Sequence, residues 1–147
     1  MTVRDLIGSR SDIYSISSES TVHDAARYLR ERQVRSVGVT DANGALVGVV
    51  SQSDISDKVA AENKCPAWMR VSEIMSTHLI TVDPDRPVAD CLRLMEQHGF
   101  YHLLVVDETG GYRGMLSVTD LLTVIASDEK SRADMLEAFL FERTQAP

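Results

Sequence analysis

The residues best placed to do chemistry occur twice. Gly48-Val49-Val50-Ser51-Gln52-Ser53-Asp54 and Gly114-Met115-Leu116-Ser117-Val118-Thr119-Asp120 share one form: glycine, two apolar residues, serine, any residue, a hydroxyl residue, aspartate. In each, an apolar strand gives way to a short helix that begins at Asp54 or Asp120. The hydroxyls and amides of such a helix start can accept an anion. The carboxylate can accept hydrogen bonds from two adjacent hydroxyls, as a ribose offers. A plainer reading makes Ser51 and Asp54 a helix cap and nothing more. Recurrence of the whole phrase at one register, after matched strands, favours binding.

Other constellations carry less. The histidines His23, His78, His98 and His102 form no H-E-x-x-H motif, and no metal site is expected. No serine sits on a G-x-S-x-G elbow, and Ser51 belongs to a duplicated helix-start phrase, so a Ser-His-Asp triad is set aside and no catalytic residue and no enzyme activity are expected. Cys65 and Cys91 lie 26 residues apart, which is no disulfide framework. Cys91 falls on a buried helix face. Cys65, beside Pro66, is either an inert apolar residue or a reactive thiol. Trp68 reads as a plug holding the connector to the domain, ahead of an aromatic wall for a ligand.

The elements that position these residues also occur twice. With the sequence shifted by 66 residues, Tyr14–Ile55 lies over Ile80–Leu121 without a gap, and nine of the 42 pairs are identical. Chance would supply about two or three. Each copy opens with a short strand (Ile13–Ile16, Leu79–Val82) and a polar turn. A helix follows, Val22–Gln33 or Val88–His98, with one apolar face at three-and-four spacing. Next come a strand (SVGVT, HLLVV), a turn (DANG, DETGG), a second strand (LVGVV, RGMLS) and a short helix. The sequence therefore predicts an α+β fold of two β-α-β-β-α repeats. One unit of about 50 residues is too small to bury a stable core alone, and two copies in one chain can bury their sheets against each other. The boundaries expected are 1–60 for the first repeat with its entry segment, 61–70 for a connector, 71–126 for the second repeat and 127–147 for an amphipathic helical tail. Val3-Arg4-Asp5-Leu6-Ile7 echoes Val71-Ser72-Glu73-Ile74-Met75, giving each unit an entry segment of its own. Pro66 keeps the connector from being one unbroken helix.

These residues resemble the cystathionine-beta-synthase (CBS) domain family, as a tandem pair or Bateman module over roughly Val3 to Ser127. The resemblance rests on the Gly-apolar-apolar-Ser-x-x-Asp phrase in both copies, on the apolar strands ending in Asp41 and Asp107, and on the openings Ser15-Ile16-Ser17 and Ile80-Thr81-Val82-Asp83-Pro84. It implies a stand-alone regulatory module, packed sheet to sheet about a pseudo-two-fold axis, with two clefts for an adenosine compound such as AMP, ATP or S-adenosylmethionine. By position, Asp54 and Asp120 resemble the family's ribose acceptors, and Ser51, Ser53, Ser117 and Thr119 its hydroxyl ligands. Tyr14 and Ile80 resemble backbone readers of the adenine edge. Val34-Arg35-Ser36-Val37 and Phe100-Tyr101-His102-Leu103 resemble the strand that walls the base. Asp120 would then share a site with Tyr14 and Arg35, and Asp54 with Ile80 and Tyr101. Gly38 and Leu104 depart from the family, which commonly has proline there.

Composition narrows the ligand and the partners. A net charge of −7 and a pI near 5.0 argue against a nucleic-acid partner. Cations available to phosphate are few: Arg35, His102, and Arg10 or Arg113 beyond them. A monophosphate such as AMP, or a neutral nucleoside, is therefore favoured over a triphosphate, as a regulatory ligand and not as a resident cofactor. No apolar run approaches the roughly 20 residues of a membrane span, and MTVRDLIGSR is no signal peptide, so a cytoplasmic location is expected. Met135, Leu136, Phe139 and Leu140 form an apolar stripe on the tail. It would serve a homodimer, an effector protein, or as a lid on the chain's own domain. The competing expectation for the whole molecule is a ligand-free structural or dimerisation module.

Overall fold

The computed structural model describes residues 1–8, 13–127, 133–134 and 136–141. In the first half run α1 (Val3–Ile7), β1 (Ser15–Ser17), α2 (Val22–Arg32), β2 (Ser36–Thr40), β3 (Leu46–Ser51) and α3 (Gln52–Ile55). A π-helical turn follows at Ser56–Ala60, and the connector holds a 3-10 turn at Pro66–Trp68. The second half runs α4 (Val71–Ile74), β4 (Thr81–Val82), α5 (Val88–His98), β5 (His102–Val106), β6 (Tyr112–Ser117) and α6 (Val118–Ser127). The fold is α+β, as the repeat predicts.

Each half builds a three-stranded sheet in which the middle strand is parallel to the first and antiparallel to the third. The pairings repeat at the 66-residue offset. Ser36 faces Ser51 as His102 faces Ser117, and Ser15 faces Gly38 as Thr81 faces Leu104. Even the irregularity recurs, between Val39 and Thr40 and between Val105 and Val106. The turns preceding β3 and β6 are built alike. Asp41 Oδ1 accepts the Asn43 and Ala45 amides, Asp107 Oδ1 accepts those of Thr109 and Gly111, and Gly44 and Gly110 supply φ of 80° and 83°.

The halves are related by a two-fold that can be located. Ala45 and Gly111, equivalent residues of the two repeats, form an antiparallel bridge with each other. A residue paired with its own equivalent must lie beside the axis. The sheets also meet where the Ser36 hydroxyl lies 3.4 Å from Met115 Sδ, and where Gly38 leaves room for the Tyr112 ring. A Cβ at Gly38 would come within 2.7–2.9 Å of that ring. This gives the glycine, at a position where the family commonly has proline, its physical reason.

The entry segments are exchanged. Val3 is fully buried in the core of the second repeat, with Val82, Val88 and Leu121, while Val71 and Ile74 are buried in the core of the first, with Val22, Leu29 and Val50. Backbone bonds fix both crossings. Val3 N–H donates to the Arg86 carbonyl at 2.9 Å, and Val71 N–H to the Ser20 carbonyl at 2.8 Å. The bridges Thr2–Pro87 and Thr21–Arg70 close them symmetrically. The two segments share one apolar pattern, so either fits either core. Each unit therefore completes itself with the other's entry helix and not with its own.

Trp68 does not plug the connector: its side chain is 86% exposed. Cys65 is exposed and Cys91 fully buried, where burial pushes its thiol up to about 11. In the tail, residues 136–141 are helical, with Leu136, Phe139, Leu140 and Phe141 exposed. Met135 lies outside the described residues, as does Arg10.

Candidate functional site

Strand-to-helix junctions carry the duplicated phrase. Ser51 is the N-cap of α3, in extended backbone. Its N–H and its hydroxyl both donate to Asp54 Oδ2, at 2.9 and 3.0 Å, and its Oγ accepts the Asp54 N–H at 3.2 Å. The second copy repeats this, with Ser117 N–H on Asp120 Oδ2 at 2.8 Å and Asp120 N–H on Ser117 Oγ at 3.1 Å. These are capping boxes, with aspartate as the third helical residue. That is why the helices begin at Gln52 and Val118, two residues ahead of the expected starts. Two amides in each helix start are already spent: Gln52 N–H donates to the Arg35 carbonyl, Val118 N–H to that of Tyr101, and the aspartate amides to serine. Anion binding by bare backbone is correspondingly reduced.

Both junctions open onto one continuous cleft of about 1260 Å³, lined by residues of the two repeats. The resemblance implied two clefts; here they merge. Tyr14, Arg35, Ser36, Ser51, Ser53 and Asp54 line it from the first repeat, and Ile80, Tyr101, His102, Ser117, Thr119 and Asp120 from the second. Val37 also borders the cleft, although its side chain is buried in the first core. Leu103 does not line it. The strand alternates, so with His102 and Leu104 on the cleft, Leu103 is fully buried in the second core. Tyr112, Met115 and His78 are lining residues that sequence reasoning did not single out. His78 stacks at a tilt against Phe100, ring centroids 5.9 Å apart.

The lips differ in character. Tyr14 is held edge-on to Tyr28 at 6.4 Å, and the Arg32 guanidinium lies 3.6 Å from the Tyr28 ring centroid and 5.7 Å from that of Tyr14. The equivalent positions across the repeat are Ile80, Leu94 and His98. Asp54 Oδ1 pairs with Lys58 Nζ at 3.0 Å, and Val124 takes the place of Lys58 in the second repeat. Of the cleft's arginines, Arg113 is drawn to Asp107 at 3.7 Å, whereas Arg35 is exposed on the rim. His102 has its pKa lowered by desolvation in the cleft wall, partly offset by the Asp120 charge.

No three or more His, Cys, Asp or Glu side chains converge as a metal site among the described residues. His98 and His102 stand four apart, but Gly99, with φ 69°, ends α5 between them. No helix among the described residues is long and apolar enough to cross a membrane.

The fold and cleft define a class: a duplicated β-α-β-β-α module with a ligand-sized groove where its halves meet. Comparison with known proteins agrees. The CBS domain family model matches residues 3–61 and 71–127, and the chain belongs to that family as a tandem pair. A CBS-domain protein of Burkholderia ambifaria has the same fold, with TM-score 0.78 and 27% identity over 87% of this chain and 96% of that one. A CBS domain pair solved with 5'-methylthioadenosine and S-adenosylmethionine matches with TM-score 0.75 over 86% of this chain and 97% of that one, at 24% identity, a likeness of fold alone. An uncharacterised protein of Methanopyrus kandleri is 29% identical over 116 residues, 79% of this chain. The chain spans 59% of that relative's length.

Proposed function

We propose that the cleft binds an adenosine-type ligand and that its occupancy is passed to a partner protein, making the chain a regulatory module. One observation carries this reading: two aspartates, each fixed in the same capping box, stand on one cleft walled by both repeats. The box fixes the orientation of each carboxylate, which this reading takes as the acceptor for a ribose diol. Ser53 and Thr119 flank the carboxylates, Tyr14 and Ile80 border the base, and Arg35 is the rim cation for a single phosphate. A cleft of 1260 Å³ exceeds the roughly 300–1,000 Å³ of one small-molecule pocket, which accommodates two ligands side by side. Sparse cations favour AMP or adenosine over ATP. Pairing of two modules through helix faces left uncovered, reinforced by the exposed tail residues Leu136 and Leu140, would give the homodimer expected of the family.

A second reading has its own support. The capping boxes give both serines and both aspartates a structural duty, and an empty interaction module would keep them for that alone. A thermal-shift panel with adenosine, AMP, ATP and S-adenosylmethionine separates the two. A shift that rises with ligand concentration and is largest for AMP or adenosine supports the sensor, and no shift at millimolar ligand supports the empty module.

A further inference from the structure

The Asp54 carboxylate already has an occupant. Lys58 Nζ lies 3.0 Å from Asp54 Oδ1 and donates to the Ile74 carbonyl at 2.7 Å, so the ammonium is held from two sides, by its own helix and by the exchanged entry helix α4. It reaches there from the π-helical turn Ser56–Ala60, where Ala61 N–H closes on the Ser56 carbonyl at 2.8 Å. Such turns are rare and concentrate at functional sites. A carboxylate offers about four lone-pair positions. Oδ2 accepts the Ser51 amide and hydroxyl, and Oδ1 accepts Lys58. One position remains. A vicinal diol needs two.

We propose that Lys58 is an internal competitor for the Asp54 carboxylate, a specificity-determining residue that a ribose diol must displace. The inference deepens the adenosine reading and rests on it. Val124 stands at the position of Lys58 in the second repeat, so this lysine contact belongs to the Asp54 lip. A ligand that offers a single hydroxyl does not compete, because one position on the carboxylate is open to it.

The test is calorimetric titration of the full chain with adenosine and with 2'-deoxyadenosine, which lacks the diol. It uses the wild type, Asp54→Ala, Asp120→Ala, and Asp120→Ala combined with Lys58→Met or Lys58→Arg. The Met variant keeps the apolar stem of lysine and loses the charge. In the Asp120→Ala background, Lys58→Met should tighten adenosine by about two- to fivefold, the range of a partly exposed ion pair, and leave 2'-deoxyadenosine unchanged. Lys58→Arg, which keeps a donor on the carboxylate, should tighten neither. Equal gains for both ligands, or a gain with arginine as large as with methionine, would overturn the inference. Adenosine affinity that falls in Asp54→Ala but does not respond to Lys58→Met would overturn the inference alone and leave the adenosine reading intact. Adenosine that binds no form of the chain would remove both.

Discussion

Replacing Val71 by alanine tests the exchanged entry helices. Val71 is adjacent in sequence to the second repeat, yet it is fully buried in the core of the first with Val22, Leu29 and Val50. The change removes two carbons from a closed site. Transfer of that surface to water costs about 0.8 kcal/mol per methylene, and the cavity left behind adds to it, for a total of about 2–3 kcal/mol. For a chain near 150 residues, each kcal/mol lowers Tm by about 2–4 °C, so Val71→Ala should melt about 4–12 °C below the wild type. Amide exchange tells which repeat is affected. Protection should fall first in β2, at Val37–Val39, and later in β5, at Leu103–Val105. Val3→Ala should reverse the order, since Val3 is buried beside Val88 and Leu121. Loss of protection confined to each segment's own repeat would refute the exchange, and so would a Val71 variant as stable as the wild type.

The remaining predictions concern the cleft walls and the thiols. Gly38→Ala places a Cβ 2.7 Å from the Tyr112 ring and should expel that ring from the cleft, destabilising the chain by about 1–3 kcal/mol. Adding Tyr112→Ala should recover most of the loss, and a non-additive cycle by denaturant unfolding is the check. His102 binds its proton less tightly folded than unfolded, because burial opposes the charge. Its contribution to stability is therefore complete above about pH 6.5 and shrinks as pH falls below that value, and Asp120→Ala should lower the imidazole pKa further in an NMR titration. Iodoacetamide at pH 8 should alkylate exposed Cys65 and spare Cys91, whose thiol is pushed up to about 11; mass-mapped labelling of Cys91 in the native chain would contradict this.

Much of the fold was legible because the repeat has no gaps. One offset transfers strand, turn and helix from copy to copy, and the alternation in SVGVT and HLLVV already separates cleft from core. Applied strictly, that period would have sent Leu103 inward with Val105. The helices start two residues before Asp54 and Asp120 because a capping box puts its acidic member at the third helical position, where it resembles a first residue. The exchange of entry segments was hidden for another reason: VRDLI and VSEIM present the same apolar spacing, and nothing local says which core receives it. Trp68 gave no signal of exposure, since an aromatic two residues past Pro66 reads first as a plug. Lys58 was overlooked as well. It lies past the duplicated phrase, and its partners Asp54 and Ile74 come together only through the exchanged helix α4.

The central claim is that Asp54 and Asp120 accept a ribose in the shared cleft. Its most direct test is calorimetric titration of the full chain with AMP, comparing the wild type with the Asp54→Ala/Asp120→Ala double variant after both are shown folded by circular dichroism. Loss of a charge-assisted hydrogen bond costs about 1.5–3 kcal/mol, so the double variant should bind AMP at least about tenfold more weakly than the wild type. Equal affinity in the two proteins would contradict the account.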